Sequence, residues 1–223
     1  MKKFELTAEF VTNVFGKKLF RIKALVAFGN VEKGELGGFI ENEDNLSHDG
    51  NAWVSGNAKV FGNAWVSGNA KVSGNAWVSG DAKVFGNAQV FGNAQVFGNA
   101  QVFGDAKVFG NAQVFGDARV FGNAWVSGDA QVFGNAQVSG DAQVFGNADY
   151  AVVTGFGRYF RTTTFFRCED KILRVQCGCF YGDLAQFREI VKKTHGDSKY
   201  AKEYLTIADL MELHFSDECG GEQ

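Results

Sequence analysis

Cys177-Gly178-Cys179 is the first place in this chain to look for chemistry. Alternate residues of a strand project to the same side, so the spacing puts two thiols on one face. With Cys168 and His195 they supply the donor types of a zinc site. A hairpin reading works against it. With the turn at Glu169-Asp170-Lys171, between the strand-like runs RTTTFFRC and ILRVQCGCF, Cys168 falls opposite Lys171 and Cys177 opposite Thr162. That is roughly 20 Å along a ladder rising ~3.3 Å per residue, too far for three thiols to share one ion. Cys177 and Cys179 therefore read as small buried hydrophobes, with Cys177, Cys179 and His195 as the residual metal candidate. The remaining histidines are His48, in the lead-in SHDGNAW, where it reads as an exposed polar turn residue, and His214. No cofactor, metal or catalytic residue is expected.

These residues flank a long repeat. From Asn51 to Gly146 the chain is sixteen consecutive copies of [ND]-A-x-V-[SF]-G, and a seventeenth begins at Asn147. Within each copy Ala, x, Val and Ser/Phe alternate with the period of a strand that buries one face. Ala and Val are expected inside, x and Ser/Phe outside. Gly-Asn or Gly-Asp forms the corner, since both residue types tolerate a left-handed backbone. Short strands joined by equal corners wind into a solenoid.

Charge decides how many strands make one coil, because like charges stacked in adjacent coils repel. Two hexapeptides per coil would stack Asp105, Asp117, Asp129 and Asp141 in one column; four would stack Lys59, Lys83 and Lys107. With three, every corner Asp has only Asn beside it and every outward Lys or Arg has only Gln or Trp. Three strands per coil is the expectation.

The ends are expected to cap the rod. KFELTAEF and KKLFRIKAL alternate like strands around the turn NVFG. After Ala148 a ββα-like pattern leads to a capping box, Asp183 with Gln186, and to a helix face of Leu184, Phe187, Ile190 and Val191 ending at Gly196. A second helix from about Ser198 carries Tyr204, Leu205, Ala208 and Met211. The expected division is a β cap over 1–50, the repeat over 51–148 and an α+β module over 149–223.

Composition narrows the setting. The 223 residues carry a formal charge of -3, with 29 Gly, 23 Phe and no Pro. This balance offers no basic field to a phosphate backbone, so general nucleic-acid binding is disfavoured. No apolar run reaches the ~18 residues of a membrane span. MKKFELTAEF lacks the apolar core of an export signal, and four cysteines without one are expected as reduced thiols in a cytoplasm, including that of an infected host cell.

Val54 then Ala58, and Val60 then Ala64, follow the [LIV]-x-x-x-[STAV]-x rule, so the repeat resembles the left-handed parallel β-helix (hexapeptide-repeat) superfamily. The resemblance implies a mainly β fold of three hexapeptides per coil. It leaves function open, because the superfamily includes acyltransferases, carbonic anhydrases and structural or ice-binding members. Acyltransferases of this class use a His beside a coil. None lies between Asn51 and Ala148, so an acyltransferase using His48 is only the enzymatic alternative. Three His ligands for a carbonic anhydrase cannot be assembled, and the coils hold no Thr for an ice-binding array. Over nearly the whole chain, LFRIKAL, GELGGFIENEDNLS, NAWV, TTTFFR, QCGCFYG and THGDSKYAKEYL resemble hexapeptide-repeat proteins encoded by bacteriophages, prophages and gut bacteria. That resemblance implies a phage-associated setting and brings no catalytic residues to carry over.

The outward Ser/Phe positions fall into three columns, and Phe85, Phe91, Phe97, Phe103, Phe109, Phe115 and Phe121 place rings on all three sides of the middle of the rod. Were each ring about half open, together they would exceed the ~300–600 Å² apolar patch of a typical monomer. A stacked ladder accounts for order within a column; self-association accounts better for open flanks. The expected function is a non-enzymatic scaffold or binding protein that self-associates, with a trimer as first arrangement. The alternative is a phage counter-defence protein that sequesters a small host nucleotide ligand or blocks a host defence protein.

Overall fold

Each hexapeptide contributes one two-residue strand, its x-Val pair, and the corner follows from the next Gly. A computed structural model describes residues 2–216. Residues 217–223 of the expected C-terminal module lie outside the described residues. Sixteen such strands, β4 (Trp53–Val54) through β19 (Gln143–Val144) at six-residue steps, build a parallel β-solenoid. Strands three apart in sequence pair in register, as Gln101 with Lys83 and Arg119. The rod thus has three sheets, running β4-β7-β10-β13-β16-β19, β5-β8-β11-β14-β17 and β6-β9-β12-β15-β18. Every Val and Ala of the repeat from Ala52 to Val144 is buried in one continuous core. The backbone requires Gly at the corners. Gly98 has φ +70, and a Cβ there would lie 3.1 Å from Gly116 N in the coil above.

Corner Asn residues form directional chains. Asn51 Nδ2 donates to Asn69 Oδ1, Asn69 to Asn87 and Asn87 to Asp105, at 3.1, 3.0 and 2.9 Å. Asn57, Asn75, Asn93 and Asn111 pass bonds along a second column to Asp129. A carboxylate accepts but cannot donate, so each chain stops at an Asp and restarts one coil later, as at Asn99, which donates to Asp117 at 2.9 Å. The three-per-coil arrangement read from charge is the one that makes this possible.

A parallel stack ends in carbonyls on one side and N–H groups on the other, and each must find a partner. At the N-terminal end, β3 (Leu36–Ile40) pairs with β5. It extends that sheet through β2 (Lys18–Ala24) to β1 (Phe4–Thr12), paired antiparallel about the NVFG turn. The other two sheets are closed by buried side chains. Lys3 Nζ, with Lys3 only 3% exposed, donates to Ala52 O at 2.9 Å and to Gly50 O at 3.4 Å. Asn45 Nδ2, with Asn45 1% exposed, donates to Gly62 O and Ala64 O, both at 2.9 Å. At the opposite end the partners are acceptors. Asn147 Oδ1 takes Gln131 N at 2.8 Å, Thr164 Oγ1 takes Gln137 N at 3.0 Å and Asp149 Oδ2 takes Phe145 N at 2.9 Å.

Burial pushes the Lys3 ammonium down to about 8 from 10.5, partly offset by Asp49. Between these two values the unfolded chain holds a proton that the folded chain has released, so this group's contribution to stability rises with pH there. Thermal melts of wild type and Lys3→Met should diverge from about pH 8 to 10.5, wild type gaining by a few degrees on the usual scale for small domains, and run parallel at lower pH. Parallel curves throughout would place Lys3 outside the cap.

The C-terminal module holds the expected hairpin and two helices and adds one strand on either side of the hairpin. It is a four-stranded antiparallel sheet, β20 (Tyr150–Val153), β21 (Thr163–Arg167), β22 (Leu173–Cys177) and β23 (Phe180–Asp183), followed by α1 (Leu184–His195) and α2 (Lys199–Phe215). Neighbouring Phe165 and Phe166 point to opposite faces. Phe166 joins the solenoid core and Phe165 the core formed with α1 and α2, so the sheet seals the rod on one side and carries the helices on the other. The capping box of Asp183 and Gln186 and the stop at Gly196 are present. Ser198 caps α2. Ile190, expected on the buried face of α1, is exposed. Neither helix is long and apolar enough to cross a membrane, and no other helix among the described residues is either.

Candidate functional site

The Phe columns form stacks. Phe85, Phe103 and Phe121 have centroids 4.9 and 5.0 Å apart with rings within 2° of parallel. Phe91 and Phe109 repeat this at 4.9 Å, as do Phe97 and Phe115. The spacing is that of neighbouring strands, so identical side chains in identical rotamers are carried into contact by the backbone. Stacking leaves all seven rings well under half exposed, and none ranks among the exposed large hydrophobics. The assumption of half-open rings is corrected accordingly. The open rings are the last of two columns, Phe133 (51% exposed) and Phe145 (49%).

The strict rule that x and Ser/Phe face water also fails near the ends, because the caps fold over them. Phe61 is buried with Leu19 and Phe39 under the β1–β2 hairpin, and Trp53 is buried too. Ser139, 2% exposed, donates to Gln176 Oε1 at 3.0 Å beneath the terminal sheet. Ser55 and Ser73 line a cleft of about 390 Å³ shared with Asn30, Glu35 and Lys71. At Ser55, Ser73 and Ser139 a ring would fill this cleft or collide with the terminal sheet.

His48 is built into the N-terminal cap. Its Nδ1 accepts from Lys3 N at 3.2 Å, its ring stacks on Phe4 at 4.3 Å and its Nε2 lies 3.6 Å from Glu43. It is not the free turn residue expected from its sequence context.

The thiols are arranged differently from the strand reading. Lys171 adopts φ 62 and Cys168 N bonds Ile172 O, so the turn holds one more residue. This shifts Cys177 opposite Thr163 rather than Thr162. Gly178, at φ +60, turns the chain, and Cys177 pairs across it with Phe180. Cys177 and Cys179 consequently do not share a strand face. Cys179 is exposed in the turn and Cys177 is half-buried, accepting from Thr163 Oγ1 at 3.2 Å. Cys168 lies apart, bridged to Ala142. Burial pushes its thiol up to about 11, and burial together with that thiol pushes Tyr181 up to about 12.

One cleft of about 320 Å³ does gather Cys177, Cys179 and His195, with Arg158, Tyr159, Arg161, Thr194 and Tyr204. Among the described residues no group of three or more His, Cys, Asp or Glu side chains is placed to hold a metal. His195 instead stacks on Tyr204 with centroids 5.8 Å apart. Burial, reinforced by the Cys177 thiol, pushes Tyr204 up to about 12, and its hydroxyl donates to Phe156 O at 3.5 Å. Sequence reasoning missed Arg158, Tyr159 and Arg161. Their signal was the segment TGFGRYFRT, a non-repeating link that interleaves aromatic residues with arginines.

Comparison with curated proteins finds no match. A family model described as the YdcK beta solenoid repeat matches residues 112–128, a stretch within the rod itself, so over that stretch the chain is similar to a family of β-solenoid repeats.

Proposed function

We propose that this protein is a non-catalytic β-solenoid scaffold that self-associates through its Phe ladders and presents its end modules for binding, with a side-by-side trimer as the first arrangement to test. The observation that carries this reading is the set of parallel ring stacks on all three sides of the central coils, Phe85 to Phe121. Partly buried rings still present continuous apolar edges along the rod. Exposed Trp65, Trp125, Phe133 and Phe145 extend these edges toward the ends. Apolar contact contributes about 25 cal/mol per Å² against the entropy of association, so several edges must be covered together. The coils keep one register without inserted loops from Trp53 to Val144, so away from the caps the rod offers flat sides. The engagement of both His48 ring nitrogens in the cap supports a structural role for that residue.

Changing Phe97, Phe103, Phe109 and Phe115 to Ser uses the residue the repeat itself places there. Light scattering should report a smaller particle than wild type, while circular dichroism remains β-rich and the melting temperature falls by the loss of stacking, about 0.5–1.5 kcal/mol per ring pair. A wild type that is monomeric at micromolar concentration, or a variant of unchanged mass, overturns self-association through the ladders.

A further inference from the structure

The cleft between the sheet and the two helices of the C-terminal module has the chemistry of a ligand site. Its floor is apolar, formed by Phe180, Phe187 and Val191, and its mouth carries Arg158 and Arg161. No carboxylate lines it. Arg21, Arg174 and Arg188 lie against acidic side chains at 2.6–2.8 Å. Arg158 and Arg161 have no carboxylate partner among the described residues and flank the Tyr159 ring, at 5.5 and 5.1 Å from its centroid. A guanidinium without a counter-ion gains from an oxyanion, which its fork geometry matches. Deeper in, the Tyr204 hydroxyl and Thr194 add polar groups beside aromatic and aliphatic walls. The volume of about 320 Å³ lies at the small end of ligand pockets. The loop over the mouth is held in an uncommon conformation, with Phe160 at φ 51, and is anchored by Gly157 N donating to Glu203 Oε2 at 2.8 Å. Non-glycine residues in this region are enriched at ligand clamps.

We propose that this cleft binds a small organic oxyanion, a ring-sized apolar body carrying a phosphate or carboxylate, with Arg158 and Arg161 on the oxyanion and the body on the Phe180–Phe187 floor. The site needs neither the coils nor the ladders, so it stands apart from the scaffold reading.

Calorimetric titration of the full chain with phenyl phosphate and with benzoate tests it, using inorganic phosphate and phenol as the two halves of the ligand. Saturable one-to-one binding by at least one of the organic anions, about tenfold or more tighter than either half alone, is expected; tenfold corresponds to about 1.4 kcal/mol. The stronger of the two identifies the headgroup. Arg158→Gln with Arg161→Gln should weaken it at least about tenfold without changing circular dichroism, since both side chains lie on an exposed loop. Bound ligand should also slow alkylation of Cys177, read by mass spectrometry of that peptide. No saturation at millimolar ligand, equal binding of inorganic phosphate, an unaffected double variant or unprotected Cys177 would each overturn the proposal.

Discussion

Val102→Asp should abolish the folded rod or lower its melting temperature drastically. Val102 is fully buried and sits in register between Val84 and Val120. The interior it faces is built from Val and Ala alone through the central coils, so a carboxylate placed there meets no donor. Burying an unpartnered polar group costs about 2–7 kcal/mol before charge is counted, against a net stability of about 5–15 kcal/mol for a typical domain. The damage also spreads, because each coil of a solenoid is held by its neighbours and a broken central coil uncouples the two halves. Thermal unfolding followed by circular dichroism reads the effect, with Val102→Ile as the conservative comparison. An unchanged melting temperature in the Asp variant would mean that Val102 does not face the core.

Asn99→Asp should destabilise the rod although it changes one side-chain group for another of the same shape. Asn99 lies in a corner column between Asp81 and Asp117, and its amide donates to Asp117. The substitution removes that donor and aligns three carboxylates at the ~4.8 Å spacing of adjacent strands. Because the corner is open to water, the new repulsion together with the lost bond is worth about 2–3 kcal/mol, and added salt should recover part of it. Asn93→Asp is the matched control. Its column neighbours Asn75 and Asn111 are uncharged, so that variant should melt within a few degrees of wild type. Equal behaviour of the two variants would remove charge as the reason for the observed Asp spacing.

That spacing is also why the rod was legible in the sequence. Alternation in Ala-x-Val identified the inward face, and the avoidance of stacked Asp and Lys identified three strands per coil; both are local or strictly periodic signals. The ends were less legible because their logic is not local. Nothing near Lys3 announces that its ammonium will close a sheet edge some fifty residues away at Ala52. Phe165 and Phe166 look like a broken alternation until both faces of their strand are covered. Cys177 and Cys179 were placed on one face because a strand was assumed through Gly178, whose φ of +60 makes it a turn. The cleft joins Arg158, Cys177, His195 and Tyr204 from a loop, a strand end and two helices, a convergence that only the tertiary fold creates.

The closure of the two rod ends also has a geometric consequence. The terminal sheet fits one angular setting, in which Thr164 reaches Gln137 and Gln176 reaches Ser139 on the same side while the Tyr150 hydroxyl reaches Gln131 O on another. Each hexapeptide advances the chain by a third of a turn. Inserting one hexapeptide would therefore rotate that setting by roughly 120° and present the sheet with the wrong side of the rod, whereas inserting a whole coil would carry it forward by ~4.8 Å with its phase intact. The length of such a protein is quantised: it can grow or shrink only in whole coils, and the distance between its two end modules is set like the pitch of a screw.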